Sequence, residues 1–243
     1  MKITERTTDF TKLSATQKHS FFQQLWDFDQ KIFPNSTVET LYQYVNNHDA
    51  CAVHVVQYFH QEQLIGQNII PILKLHLGQQ PIYVVTSRAG FLPDYRRRNR
   101  SLSSAIRVSL NHRIRYPNSP LWFVTTLMQP KIYSLFASRT TGFYPRKDKP
   151  MSTDHLNVLK MVLEHKKDVE KRGPEIFTHL CDMPRVTSEQ LIRLRNKQDI
   201  HHQFFMQHVP DYFSGMGMVC ICQLNLKTII EVTFNLALGR RVN

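Results

Sequence analysis

The sequence predicts an α/β fold with a mixed, mostly antiparallel central sheet covered by helices. Two helix-patterned segments are followed by three β-rich segments joined by short polar turns, which favours antiparallel pairing of neighbours. A further helix-patterned segment covers residues 101–115. The almost wholly apolar segment 121–127 then has the pattern of a central strand covered on both faces. The order of these segments, more than any one of them, carries the prediction.

The two N-terminal helices are predicted from their caps. Ser14 or Thr16 can cap a helix through about residue 32, and Pro34 stops it. Ser36 opens the second helix, and Glu39 three residues later completes a capping-box pattern. Apolar residues spaced for one helix face follow each cap.

The β-rich segments are rich in β-branched and aromatic residues. They cover residues 52–59, 64–73 and 82–87. Within the second segment, we expect either a bulge near Gly66 or a break at Pro71.

The C-terminal half alternates shorter segments. A short helix begins at Pro130, a strand starts at Gly142, and a helix capped by Ser152 is expected to reach about residue 172. A basic helix opens at Thr187, and apolar segments at 216–222 and 228–238 close the chain. Since no internal repeat or low-complexity linker separates these segments, we expect a domain over residues 1–150 and an extension over 151–243 that packs on it.

The composition indicates an ordinary globular chain. Of its 243 residues, 42% are hydrophobic and 21% are charged, which suffices to bury a core. The N-terminus lacks the apolar run of a signal peptide, and no stretch approaches the roughly 20 apolar residues of a membrane-spanning helix. We therefore expect a soluble, cytoplasmic protein with no membrane span.

Cysteine and histidine give little metal signal. The four cysteines are too few for a disulfide scaffold, and Cys220 and Cys222 are expected to pack as small hydrophobes on one strand face. His201, His202 and His208 have no acidic partner at ligand spacing. No metal is expected.

The charge is strongly basic and concentrated. Lys and Arg number 31 against 19 Asp and Glu, a net charge of +12. Such an excess attracts phosphates or acidic surfaces, whether on nucleic acid, a nucleotide cofactor or an acidic carrier protein. Eight of the arginines fall in one stretch: Arg88, Arg96, Arg97, Arg98, Arg100, Arg107, Arg113 and Arg115.

The main chemical signal lies where the third strand leads into the helix at 101–115. The connecting residues are Leu92-Pro93-Asp94-Tyr95-Arg96-Arg97-Arg98-Asn99-Arg100-Ser101. The unpaired N–H groups and positive dipole end of a helix start suit a pyrophosphate. A solvated charge run or a nucleic-acid patch is the alternative interpretation.

This junction resembles the acyl-CoA-binding segment of the Gcn5-related N-acetyltransferase (GNAT) superfamily. In that superfamily a strand ends in Pro-acidic-Tyr-Arg before a glycine-rich loop. Here the four residues are Pro93, Asp94, Tyr95 and Arg96, and Asn99 and Ser101 stand at the positions of the two loop glycines. Asn tolerates the left-handed backbone and Ser is small. The order of segments matches the superfamily over about residues 14–150. The resemblance implies that main-chain groups of Phe91 and Leu92 hold the pantetheine arm and that the phosphates are held by Arg96, Arg97, Arg98, Asn99, Arg100 and Ser101.

A second resemblance concerns Tyr133. Pro130-Lys131-Ile132-Tyr133, closed by Gly142-Phe143, is similar to the family's helix with a catalytic tyrosine. The resemblance implies that Tyr133 protonates the leaving thiolate; the alternative is a core aromatic. The general base is left open among Asp94, Thr125 and Thr126, and some members of the family need none, because an amine can arrive already neutral or lose its proton through water.

The expected function is direct transfer of an acyl group from acyl-CoA, acetyl-CoA or longer, to an amine or hydroxyl of a small-molecule or peptide acceptor. One alternative takes the acyl group from an acyl carrier protein, like the N-acyl amino acid synthase branch of the superfamily. The other is a non-catalytic nucleic-acid-binding protein with its footprint at residues 96–115 and 185–197. Nucleic acid is the less favoured partner, because no tract of aromatics is interleaved with the charge.

Overall fold

The computed structural model describes residues 2–96, 100–164, 166, 168–181 and 199–242. The chain divides into two compact units, Met1–Leu121 and Trp122–Asn243. Each unit contains its own antiparallel strand pairs and its own helices.

The first unit is a strand meander with two helices before it and one after it. Its strands are β1 (Thr4–Asp9), β2 (Ala50–His60), β3 (Gln63–Leu77), β4 (Gln80–Val85) and β5 (Arg88–Phe91). Its helices are α1 (Ala15–Ile32), α2 (Val38–Val45) and α3 (Arg100–Arg115). The strand order is β1-β2-β3-β4, and β5 also pairs with β3. Every pair is antiparallel.

The core of the first unit lies where α1 and α2 meet β2 and β3. Ser14 caps α1 in a capping box with Gln17, so the apolar face of that helix is fixed from its first turn. Burial of each large apolar side chain contributes about 1.5–3 kcal/mol. The core cluster comprises Phe10, Leu25, Leu41, Val45, Val53, Val55 and Ile69.

Two details of this unit differ from the sequence prediction. Thr37, not Ser36, caps α2, because the Thr37 side chain accepts from the Thr40 N–H at 3.1 Å while Ser36 accepts from Arg88 at 3.0 Å. The polar segment Thr4–Asp9 forms β1, an edge strand paired along β2. Its exposure explains why no apolar pattern indicated it.

The second unit is built around β10. Its strands are β6 (Leu121–Leu127, beginning at the unit boundary), β7 (Phe143–Tyr144), β8 (Val169–Lys171), β9 (Phe177–Leu180) and β10 (Met216–Gln223). Its helices are α4 (Pro130–Ala137), α5 (Thr153–Leu163), α6 (Ile200–His208) and α7 (Leu226–Ala237). The strand order is β6-β10-β9-β8, and β7 also pairs with β10. These pairs too are antiparallel.

The second half of the chain differs from the sequence prediction in the length of one helix and in the place of the domain boundary. The helix expected to reach residue 172 ends at Leu163, and Asp168 adopts a φ of 57° before β8 begins. The predicted basic helix at Thr187 lies outside the described residues. The expected domain boundary after residue 150 falls inside the second unit, since β10 pairs with both β6 and β7.

The predicted fold class, α/β with a mostly antiparallel sheet, is confirmed in both units. Within the described ranges, no helix combines the length and apolar character needed to cross a membrane. The same ranges contain no cluster of three or more His, Cys, Asp or Glu side chains placed to hold a metal ion.

Candidate functional site

β4 and β5 lie end to end along β3 and would form one long strand if Pro71 of β3 did not separate them. The Cα pairs of β4 and β5 with β3 follow a single register, from Leu77↔Gln80 to Gly66↔Phe91. The Pro71 carbonyl accepts from the Thr86 N–H at 3.1 Å, but proline has no N–H to return. The break predicted at Pro71 does not occur in β3, which runs from Gln63 to Leu77; it is the strand opposite Pro71 that is divided, into β4 and β5.

β5 has one paired edge and one free edge. Among the described residues it pairs with β3 alone. The Leu92 N–H donates to the Ile65 carbonyl at 2.9 Å, and hydrogen-bonded pairs recur at every second residue of an antiparallel ladder. The main-chain groups of Gly90 therefore point toward β3, whereas those of Ala89 and Phe91 point to the free edge.

Arg96 contacts this free edge directly. Its Nε donates to the Phe91 carbonyl at 3.0 Å, which agrees with that carbonyl pointing away from β3. The Phe91 N–H lies on the same edge. Of the two positions predicted to hold the pantetheine arm, only Phe91 presents its N–H there, because the Leu92 N–H is used within the sheet.

Two glycines allow the close packing that fixes β5. A Cβ on Gly66 would lie 2.3 Å from the Phe91 ring, and a Cβ on Gly90 would lie 2.3 Å from the Ile32 side chain. The Phe91 ring also packs against Tyr58, with centroids 4.7 Å apart. The β5 backbone is therefore held between α1 on one face and the Phe91–Gly66 contact on the other.

Two tyrosines tie the following segment to β2. The Tyr58 hydroxyl donates to the Arg100 carbonyl at 3.1 Å, at the start of α3. Burial raises the pKa of Tyr58 to about 12, so the hydroxyl keeps its proton and remains a donor. The Tyr95 hydroxyl lies 3.0 Å from His60 Nδ1, which holds the turn Pro93–Tyr95 against the end of β2.

Asn68 anchors the first turn of α3 from within β3. This fully buried side chain donates from Nδ2 to the Ser101 carbonyl at 3.0 Å and to Ser104 Oγ at 3.0 Å. Its Oδ1 accepts from Ser87 Oγ at 2.7 Å, and Ser104 Oγ also donates to the Ser101 carbonyl at 2.9 Å. Sequence reasoning missed this group, although a polar residue inside an apolar strand is itself a signal.

The predicted phosphate-binding residues are only partly described. Arg97, Arg98 and Asn99 lie outside the described residues. Arg100 is half-buried, and its Nε has no hydrogen-bond partner in the described part of the chain. Ser101 stands at the first turn of α3, where helix N–H groups have no partner within the helix.

Some of the arginines in the basic stretch are used structurally. Arg88 forms a bidentate pair with the fully buried Asp29, at 2.9 and 2.7 Å, and lies over the Phe33 ring. Arg107 pairs with Glu5 at 2.8 Å. The charge count over residues 88–115 thus overstates the positive charge free to attract a phosphate.

Tyr133 in the second unit is fully buried. Its hydroxyl donates to the Pro145 carbonyl at 2.6 Å. The surrounding rings are Phe143, Phe204 and Phe205, with centroids 5.6–6.2 Å away. Burial raises the pKa of the phenol. These contacts are those of a core tyrosine, and its role as general acid stays a prediction.

The three candidate bases occupy different places. Asp94 is exposed in the turn Pro93–Tyr95 of the first unit. Thr125 and Thr126 lie in β6, opposite Cys220 and Val219 of β10. Among the residues that the structure describes, none of the three has a hydrogen-bond partner that singles it out as a base, so the assignment stays open.

No protein-family model and no curated protein sequence matches the chain. Among solved structures it is similar to an Enterococcus faecalis protein described as a probable N-acyltransferase, with 11% identity, 58% of this chain and 33% of that chain covered, and a TM-score of 0.39. The chain thus spans about a third of that protein. It is also similar to Escherichia coli ElaA, with 16% identity and a TM-score of 0.38, and the match covers 63% of this chain and 95% of ElaA.

The chain is similar as well to a predicted acetyltransferase of Clostridium acetobutylicum with acetyl-CoA, with 14% identity and a TM-score of 0.38. That match covers 68% of this chain and 100% of the other. At such identities and TM-scores these likenesses carry no argument about what the chain binds or does.

Proposed function

We propose that the chain is an acyltransferase that takes an acyl group from acyl-CoA, with the donor bound along the free edge of β5 and the start of α3. The observation that carries the proposal is the free main-chain edge at Ala89 and Phe91, which is separated by eight residues from the helix N-terminus at Arg100 along the segment that resembles the GNAT donor site.

The free edge fits the pantetheine arm of the donor. That arm is an extended chain with two amides, and it can pair with a strand edge as a further strand would. Phe91 offers its N–H on this edge, while its carbonyl there accepts from Arg96. In this proposal the Phe91 N–H donates to the thioester carbonyl oxygen, where negative charge develops during transfer.

The start of α3 fits the phosphates. Arg96 and Arg100 flank the connection from β5 to α3, and the first N–H groups of α3 face outward along its axis. Tyr58 and Asn68 hold that helix start in place. Arg97, Arg98 and Asn99 remain in the proposal on the strength of the resemblance alone.

The reaction is a direct displacement at the thioester carbonyl. An amine or hydroxyl of a small-molecule or peptide acceptor forms the new C–N or C–O bond, and the C–S bond breaks. The proton that the acceptor releases ends on the thiolate, so that free CoA leaves as a thiol. Tyr133 as the donor of that proton is kept as a hypothesis for mutagenesis.

Calorimetric titration with acetyl-CoA tests the proposal. We expect saturable binding that weakens at high salt, because phosphate contacts are screened. Arg100→Gln should weaken it about tenfold or more, since a hydrogen bond to a charged group contributes about 1.5–3 kcal/mol. Arg107→Gln is the matched control, because its guanidinium is committed to Glu5. Absence of acetyl-CoA binding in the folded wild-type protein would refute the proposal.

A further inference from the structure

The outward face of α7 is apolar. Three large side chains of α7 and that of Leu238, which caps its C-terminus, lie on it four residues apart, and each is more than half exposed: Leu226 (52%), Ile230 (66%), Phe234 (52%) and Leu238 (53%). Residues at this spacing form a single ridge along a helix. We refer to these four residues as the α7 ridge.

The helix is held firmly by its opposite face, so the ridge is a fixed feature. Ile229 is buried, and Asn225 caps the helix by accepting from the Thr228 N–H at 2.8 Å. Asn235 donates to the Arg139 carbonyl at 2.9 Å. Turning the ridge inward would break these contacts.

The charges around the ridge are positive. Lys227 is exposed beside its first residue, and the Arg240 guanidinium lies 5.5 Å from the centre of the Phe234 ring near its other end. The one acidic residue of α7, Glu231, is half-buried and accepts from Thr140 at 2.8 Å. The face therefore combines an apolar row with a cation at each end and no exposed carboxylate on α7.

We propose that the α7 ridge docks an amphipathic helix of a separate protein, one that carries apolar residues on one face and carboxylates along its edges. A ridge of residues four apart packs into the groove between the corresponding rows of another helix. Carboxylates at the edges of that helix would meet Lys227 and Arg240. The chain's net charge of +12 favours an acidic partner further.

The charge pattern argues against a second copy as the occupant. In an antiparallel pair of α7 helices, Lys227 of one copy would face Arg240 of the other, and like charges at such contacts oppose association. The width of the ridge argues against a lipid surface. A helix that lies in a membrane interface needs a broad apolar face, whereas the ridge is bordered along one side by the polar residues Lys227, Glu231 and Asn235.

The test uses two synthetic helical peptides with the same leucine face, one edged with glutamate and the other with lysine. Binding to the full chain is measured by fluorescence anisotropy of the labelled peptides. We expect the glutamate-edged peptide to bind at least tenfold more tightly than the lysine-edged one. Ile230→Gln combined with Phe234→Gln should weaken that binding at least tenfold.

Ile114→Gln is the matched control, because Ile114 of α3 is also 66% exposed. It should leave peptide binding unchanged. The proposal is overturned if neither peptide binds, if both bind equally, or if the control weakens binding as much as the ridge variant. It is also overturned if sedimentation velocity shows a wild-type dimer that the ridge variant abolishes, or if the wild type alone sediments with phosphatidylglycerol vesicles.

Discussion

Asn68 gives the sharpest test of how the candidate donor site is held together. Its side chain makes three hydrogen bonds, to the Ser101 carbonyl, to Ser104 Oγ and from Ser87 Oγ, and it is fully buried. Replacement by alanine removes all three and leaves buried polar groups without partners. At about 1 kcal/mol for each neutral hydrogen bond, and more where a buried group is stranded, we expect Asn68→Ala to lower the free energy of unfolding by about 3 kcal/mol.

The assay can isolate the first unit, because the chain has two tryptophans, Trp26 in α1 and Trp122 in β6. In a Trp122→Phe background, urea unfolding followed by tryptophan fluorescence reports on Trp26, which packs against the core cluster of the first unit. Because Asn68 positions the start of α3, acetyl-CoA binding should also weaken under conditions where the variant is still folded.

The control is Asn46→Ala. Asn46 makes one exposed side-chain bond, to the Tyr42 carbonyl at 3.2 Å, and its loss should cost at most about 1 kcal/mol. A double-mutant cycle of Asn68→Ala with Ser104→Ala should show a coupling of at least about 0.5 kcal/mol, because the two side chains are in contact. If Asn68→Ala costs no more than Asn46→Ala, the anchoring role inferred for Asn68 is wrong.

Two further predictions concern the buried side chains of Tyr133 and His112. Tyr133→Phe should lower the free energy of unfolding by about 1–3 kcal/mol, because the buried Pro145 carbonyl loses its donor; in an acyl-transfer assay, a fall in turnover of about 10²–10⁴ per folded molecule would instead support the general-acid role. The second prediction concerns His112, which packs against Tyr83 and Tyr116. Burial lowers the pKa of His112 to about 4, with smaller effects of His54 and Arg115. The folded protein therefore binds this proton less readily than the unfolded chain, so stability is fully present above about pH 6.5 and falls by up to about 3 kcal/mol as the pH drops toward 4. In urea unfolding at pH 7 and 4.5, His112→Phe should flatten the dependence of stability on pH, whereas substitution of the exposed His19 by Gln should not. Equal pH dependence in the wild type and in His112→Phe would contradict the assignment of this effect to His112.

Features of the fold that depend on neighbouring residues were predictable. The start of α1 at its Ser14 cap, the start of α4 at Pro130 and the strand Leu121–Leu127 all agree with the sequence prediction. Caps, proline and apolar runs act within a few residues, and so they can be recognised without the fold. The helix after Ser152 was predicted too long because polar residues beyond Leu163 continued a plausible helical pattern without a face to bury.

Features that depend on distant residues were not predictable. Arg88 was counted as free positive charge, but its partner Asp29 lies 59 positions away in α1. Asn68 and Ser104 are likewise separated by 36 positions. For the same reason the sequence alone favoured Phe91 and Leu92 equally, whereas the pairing of Leu92 with Ile65 means that, of these two, the Phe91 N–H is the one on the free edge.

The central claim is that an acyl-CoA donor pairs with the free edge of β5. Residue-resolved amide hydrogen exchange by NMR, with and without saturating acetyl-CoA, tests it most directly. We predict that the donor slows exchange of the Phe91 N–H at least tenfold, while the Leu92 N–H, already bonded to Ile65, changes little. Unchanged exchange at Phe91 when acetyl-CoA is bound would contradict the account, because the donor would then lie elsewhere.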